Sequence, residues 1–200
     1  MSHDTWFHRA VTPAVAPLAR TPLTPNHLTT LRLAAGLAAA AAVAVGEPRW
    51  LYIGAGVFLV GMLLDRADGI LARLTDRHSA FGHKFDLVAD ALSNALIFVG
   101  LGIGLRHGAV GGWSIPLGVL AGGAVVAVLW LVVQAESRHG ARKVETRSVA
   151  GFDADDAMLA VPLAIWLGWS SGLLYAAAIG APVFAIFFFW KNMRYAREAA

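Results

Sequence analysis

Asp65, Asp68, Asp86 and Asp90 stand within one stretch, LLDRADGILARLTDRHSAFGHKFDLVAD, residues 63–90. On a helix, positions three or four apart share a face, so Asp65 pairs with Asp68 and Asp86 with Asp90. Two such pairs facing each other make a cage of four carboxylates, and like charges that close repel unless cations lie among them. An all-oxygen donor set suits hard divalent ions, Mg²⁺ or Mn²⁺, and four carboxylates are enough for two ions. A site of this kind polarises phosphoryl oxygens and stabilises a leaving group. A carboxylate left partly free can take a proton from an attacking hydroxyl. Gly69 and Ala72 beside the first pair, and Gly82 one turn before Asp86, leave room for a bulky ligand to reach the backbone. Taken singly, each aspartate could instead cap a helix or pair with Arg66, Arg73, Arg77 or Lys84.

The elements that must carry these acids are membrane helices. With 58% hydrophobic and 14% charged residues and a mean hydropathy of +0.62, the chain is more apolar than a soluble protein of this size. Six apolar runs, near residues 28–45, 50–72, 84–105, 113–135, 155–172 and 174–192, have the length of a helix crossing about 30 Å of hydrocarbon. The expected fold is all-α and polytopic: one domain over 1–200, six transmembrane helices and a short interfacial helix in the segment 1–23. Trp6, Phe7 and Val11 fall close to one face of that segment, with Arg9 on another. Pro13 and Pro17 interrupt it, so it reads as retained rather than cleaved.

An Asp at the centre of a span costs about 2.5 to 3.5 kcal/mol. The four are therefore expected at the ends of the second and third spans, joined by a turn holding Thr75, Asp76 and Arg77. Of the 16 Lys and Arg, only Arg49 and Arg106 fall on the opposite side. The positive-inside rule then puts both termini and the acidic cluster in the cytoplasm. That makes the chain an integral membrane protein, expected in a bacterial inner membrane. Arg138, Arg142, Lys143 and Arg147 in one loop, with Lys191, Arg194 and Arg197 in the tail, would meet anionic lipid headgroups and account for a pI near 9.7. No nucleic-acid partner is needed. The absence of cysteine excludes thiol ligands, thiol nucleophiles and disulfides. Trp50, Trp113, Trp166, Trp169 and Trp190 lie near span ends and read as interfacial anchors.

The acidic stretch fits D-x2-D-G-x2-A-R-x8-G-x3-D-x3-D at every fixed position: Asp65, Asp68, Gly69, Ala72, Arg73, Gly82, Asp86 and Asp90. In this it resembles the signature of the CDP-alcohol phosphotransferase (CDP-alcohol phosphatidyltransferase) family, integral membrane enzymes of phospholipid synthesis. TPNHLTTLR, residues 24–32, is similar to the family's lead into its first span through Thr24, Pro25, Asn26, Thr29 and Arg32. The resemblance implies metal-dependent transfer of a substituted phosphate from a CDP-linked alcohol to a hydroxyl, with release of CMP and no covalent enzyme intermediate. It implies Asp65, Asp68 and Asp86 as metal ligands, with Asp90 as ligand to a second ion and general base. Gly69, Ala72, Arg73 and Gly82 would shape the nucleotide pocket, with Asn26 and Thr29 lining it. The expected donor is CDP-diacylglycerol, the surroundings are membrane lipid, and the implied assembly is a homodimer.

The acceptor is open. Arg138, Arg142, Lys143 and Arg147 would suit an anionic alcohol such as glycerol phosphate or inositol phosphate. Asp153, with Asp155 and Asp156 at the start of the fifth run, would suit an amino alcohol. His78 and His83 flank the turn without being required by the pattern. Three alternatives carry the same acids: transfer of a phospho-headgroup from a CDP-amino alcohol to diacylglycerol, an aspartate-rich prenyltransferase, and a divalent-cation transporter or scaffold. The prenyltransferase motifs lack the Ala-Arg and glycine spacing, and an ion path would need polar groups continuing across the bilayer, where the spans are apolar.

Overall fold

In the computed structural model, residues 12–13, 15–77, 79–139 and 158–198 are described. All regular elements among them are helical. Helix α1, Pro25–Val45, starts where Thr24 is extended and its N–H donates to His27 Nδ1 at 3.3 Å. Pro25 occupies the first position, where a missing N–H costs nothing. Helix α2, Pro48–Leu74, also opens on proline and returns along α1. It closes in a Schellman motif: Arg77 N–H donates to Ala72 O at 3.0 Å and Asp76 N–H to Arg73 O at 3.4 Å. Asp76 supplies the left-handed residue at φ 50°. Its place outside the acidic pattern is thus that of a turn residue. Helix α3, Ala80–Gly104, begins at once, capped by Ser79 Oγ accepting from Gly82 N at 2.9 Å.

Two short 3₁₀ turns, Leu105–His107 and Gly111–Trp113, lead to α4, Ser114–His139. Helix α5 is Ala160–Trp166 and α6 is Ser170–Glu198. Helix α1 packs against both α2 and α3, α3 against α4, α4 against α6, and α5 against α2. The shared core holds Val43, Phe58, Ile97, Leu101, Ile165 and Leu174. Large apolar side chains such as Leu31, Val60, Leu120, Ile179 and Phe187 are exposed on the outer faces. In water that surface would be a liability; against lipid it is what a membrane helix requires.

Among the described residues, four helical stretches are long and apolar enough to cross a membrane: Pro25–Val45, Ala80–His107, Gly111–Leu131 and Ser170–Trp190. Six were expected. Helix α2 has 27 residues but carries Asp65, Arg66, Asp68 and Arg73 toward its end. The fifth run, expected to continue to residue 172, is cut at Trp166. Gly168 adopts φ 72°, and Trp169 N–H donates to Ala164 O at 2.8 Å, a second Schellman closure. The seven residues of α5 rise only about 10 Å. Residues 155–157 lie outside the described residues.

Trp6, Phe7, Arg9 and Val11 also lie outside them. The described part of the N-terminal segment forms a 3₁₀ turn, Ala16–Arg20, and packs Val15 and Leu18 onto Leu28, Ala67, Ile70 and Leu71. Trp113, Trp169 and Trp190 are exposed and Trp50 and Trp166 nearly half so, as interfacial anchors would be.

The bundle closes tightest at the end away from the acids. A Cβ on Gly104 would collide with Val43 O, and one on Gly100 with Ala40 O, so α1 and α3 touch there backbone to backbone. Arg106 covers the same end, donating to Ile103 O at 2.6 Å and Ala44 O at 3.3 Å.

Candidate active site

The up-down-up course of α1, α2 and α3 brings the first part of α1, the last part of α2 and the first part of α3 to one end. That topology, with the short turn at residues 75–79, makes the two aspartate pairs face each other. One oxygen from each of Asp65, Asp68 and Asp86 lies within 4.8 Å of the others. Asp90, one turn further along α3, stands outside this trio. It lies ten residues into its helix, about 15 Å of rise, so the site is recessed rather than placed at the helix ends.

What joins Asp90 to the trio is Arg32 of α1, which is 3% exposed. Its Nη1 donates to Asp86 Oδ1 at 2.7 Å and lies 2.5 Å from Asp65 Oδ1; its Nη2 donates to Asp90 Oδ1 at 2.5 Å. Thr29, one turn earlier on the same helix, donates its hydroxyl to Asp68 Oδ2 at 2.7 Å. Asn94 Nδ2 donates to Asp90 Oδ1 at 2.9 Å. Each carboxylate therefore has at least one donor. The expected cage is an acidic trio with a fourth carboxylate tied to it through a guanidinium.

Of the residues expected around a nucleotide, Gly69, Ala72 and Arg73 follow Asp65 and Asp68 within about 140° of helical arc, at 100° per residue. Beside Gly69 the space is open: a Cβ there would meet nothing nearer than Arg73 Nη2 at 3.8 Å. Gly82 is close to α1, since its Cβ would lie 3.1 Å from Asn26 Oδ1 and 3.0 Å from Ser79 Oγ. Asn26 and Gly82 thus sit side by side across the α1–α3 boundary. Thr29 is buried and engaged with Asp68 rather than open to a pocket.

Of the basic loop, only residues 138–139 are described. Arg138 belongs to the last turn of α4, and Arg142, Lys143, Arg147 and Asp153 lie outside what is described, as does His78. His83 is exposed.

Sequence reasoning gave no role to Arg32, Ser93 or Asn94. All three line a cavity of about 30 Å³ together with Asp65, Arg66 and Asp90. Ser93 Oγ is buried there and has no hydrogen-bond partner among the described residues. Two signals were available. Asn94 continues the four-residue step from Asp86 and Asp90, and Arg32 is a charge inside an apolar run, which points to a functional residue with a partner.

Residues 22–187 match the family described as CDP-alcohol phosphatidyltransferase. The archaetidylinositol phosphate synthase of Aeropyrum pernix is 35% identical over 130 residues, covering 62% of this chain and 61% of that protein. The match thus spans about three fifths of the relative. The fold is shared with phosphatidylinositol phosphate synthase of Mycobacterium tuberculosis. Its crystal structure with CDP-DAG bound gives a TM-score of 0.68 at 23% identity over 91% of this chain and 94% of that one. Its complex with manganese and citrate gives 0.66 at 22% identity, over 90% and 88%.

Proposed function

Since the chain belongs to the CDP-alcohol phosphatidyltransferase family, we propose that it transfers a phosphatidyl group from CDP-diacylglycerol to a hydroxyl of a small polar alcohol and releases CMP. The observation that carries this reading is the meeting of Asp65, Asp68 and Asp86 oxygens within 4.8 Å, with Asp90 beside them, inside the matched region.

The donor set fits a divalent metal. The trio offers only carboxylate oxygens, the chemistry that hard cations select. Arg32 pairs with three of the four carboxylates, and Asp68 has the neutral Thr29 hydroxyl as a donor. The mycobacterial relative's structures contain manganese in one case and CDP-DAG in another, in line with this donor and this class of metal. Asp65, Asp68 and Asp86 would hold the first ion, with Asp90 contributing to a second. Bound there, the metal supplies positive charge to the diphosphate and polarises the phosphoryl group.

The rest falls to the chain's own residues. The acceptor oxygen attacks the phosphatidyl phosphorus, the bond to the CMP oxygen breaks, and CMP leaves with the electron pair. Asp90 takes the proton of the acceptor hydroxyl. Arg32 and Asn94 both donate to Asp90 Oδ1, which fixes the orientation of that carboxylate toward the cavity. Gly69 leaves the open space for the nucleotide, and Asn26 and Gly82 line its edge. The apolar outer faces of α1 and α3 suit the acyl chains of a lipid donor.

For the acceptor, the cavity beside Asp90 is lined by two guanidinium groups, Arg32 and Arg66, and by two carboxylates, Asp65 and Asp90, so with metal neutralising the acids the arginines would meet the phosphate of a phosphorylated polyol. Both relatives are named as synthases of inositol phosphate lipids, which agrees. The charge distribution of the loops supports a cytoplasmic site and an inner-membrane location.

The test is CMP release by the purified protein in lipid nanodiscs with CDP-diacylglycerol, Mg²⁺ or Mn²⁺, and a panel of inositol phosphate, glycerol phosphate, serine and inositol. Metal-dependent CMP release with a phosphorylated polyol is expected. Release with none of these, nor from CDP-choline or CDP-ethanolamine with diacylglycerol, would sink the transferase reading in favour of an ion-binding role.

A further inference from the structure

Arg32 is held as a cation is held. Its guanidinium is buried to 3% exposure, and one nitrogen touches both Asp65 and Asp86 while another touches Asp90. Its helix, α1, is a separate element from the α2–α3 hairpin that carries the acids, so this charge is delivered from outside the acidic motif. A buried guanidinium without partners would be strongly destabilising, and so would four adjacent carboxylates without a cation. Each group resolves the other's problem.

Asp65 and Asp86 are also two of the three carboxylates whose oxygens converge. Arg32 Nη1 lies 2.5 and 2.7 Å from them. A divalent ion binding carboxylate oxygens at about 2.0 to 2.6 Å needs the same space, and a positive group at that distance repels it.

We propose that Arg32 is the resident counter-ion of the acidic cluster and that a divalent cation binds by displacing its guanidinium from Asp65 and Asp86. The inference rests on reading those carboxylates as a metal site. It adds that the metal-free chain is kept folded by an internal cation, and that metal affinity is set by a competition within the protein. The displaced guanidinium has somewhere to go, because the cavity beside Asp90 that Arg32 already lines also holds the Ser93 hydroxyl, which has no partner among the described residues.

The experiment is Mn²⁺ binding, followed by electron paramagnetic resonance of free Mn²⁺, together with thermal unfolding, on the full chain in nanodiscs for wild type, Arg32→Gln and Arg32→Lys. Removing the competing charge should tighten Mn²⁺ binding about tenfold or more in Arg32→Gln. Its metal-free melting temperature should fall and be largely restored by saturating Mn²⁺. Arg32→Lys keeps one charge but cannot bridge three carboxylates, so its affinity should fall between the other two. Should Arg32→Gln not fold even with Mn²⁺, tighter binding by Arg32→Lys than by wild type still supports displacement. Equal or weaker binding in the variant that folds overturns it, because Arg32 would then be a scaffold that stays beside the ion. Absence of Mn²⁺ binding in wild type and variants alike overturns the metal site and this inference together.

Discussion

Helices α1 and α3 meet twice, by different means. At one end Arg32 reaches across to Asp86 and Asp90 beside a cavity lined from α1, α2 and α3. At the other, Gly100 and Gly104 rest on the carbonyls of Ala40 and Val43, with no room for even a methyl group. The first contact is polar, costly to isolate and able to exchange partners; the second is apolar and fixed. Stability concentrated at the glycine end lets the acidic end keep like charges together. A substitution should therefore affect chemistry or stability, according to the end it strikes.

The largest effect should follow from Asp90→Asn. It removes the proton acceptor while keeping shape, and Arg32 retains Asp65 and Asp86 as partners. Transfer, read as CMP release, should drop about 10²- to 10⁴-fold. The melting temperature should barely move, since the Asp90 side chain is 40% exposed. If stability fell in step with activity, the two ends would not be separable in this way.

Gly104→Val strikes the opposite end. The added carbons meet backbone, which cannot rotate away, so the cost should reach the upper part of the usual overpacking range, about 3 kcal/mol. Specific activity per folded molecule should stay near wild type. Thermal unfolding combined with CMP release on the folded fraction reads both quantities. A variant that stays stable but turns over slowly would show that the fixed end controls the site.

Thr29→Val should lie between these in character. It keeps volume but strips Asp68, 5% exposed, of its hydroxyl donor. A loss of about 2 kcal/mol, the scale of a hydrogen bond to a charged group, is expected without metal. Saturating Mn²⁺ should recover most of that loss by stabilising the carboxylate. It should recover none of the deficit of Gly104→Val beyond what it gives wild type, and equal rescue of both variants would contradict the division.

How much of this could be read beforehand depended on the distance along the chain. The aspartate faces follow from steps of three and four residues, and the turn between them from Thr75, Asp76 and Arg77, so both were legible. The trio-plus-one arrangement was not, because it depends on how α2 and α3 cross. Arg32 lies 33 residues before Asp65, and no periodicity links them; its place in TPNHLTTLR and the rarity of a charge in an apolar run mark it without giving it a partner. The break at Gly168 is not legible in the sequence, because a glycine between Leu167 and Trp169 does not by itself end a helix. Of the basic 138–147 loop only residues 138–139 are described, and the two arginines beside Asp90 come from α1 and α2.

The smallest expected effect tests where the polar end stops. Ser93 faces Gly36 across the α1–α3 boundary, so closely that a Cβ on Gly36 would strike the Ser93 side chain. Its hydroxyl is buried without a partner among the described residues. Removing a group that already lacks its hydrogen bond forfeits nothing, so Ser93→Ala should change stability by less than about 0.5 kcal/mol, or raise it slightly. A loss above about 1 kcal/mol would mean that the hydroxyl is bonded in the folded protein and that Ser93 belongs to the network around Arg32. Unchanged stability with a raised KM for the acceptor, and an unaltered KM for CDP-diacylglycerol, would place the hydroxyl on the acceptor's side of Asp90. The exchangeable region would then begin at Ser93, with the fixed one starting two turns further along α3 at Gly100.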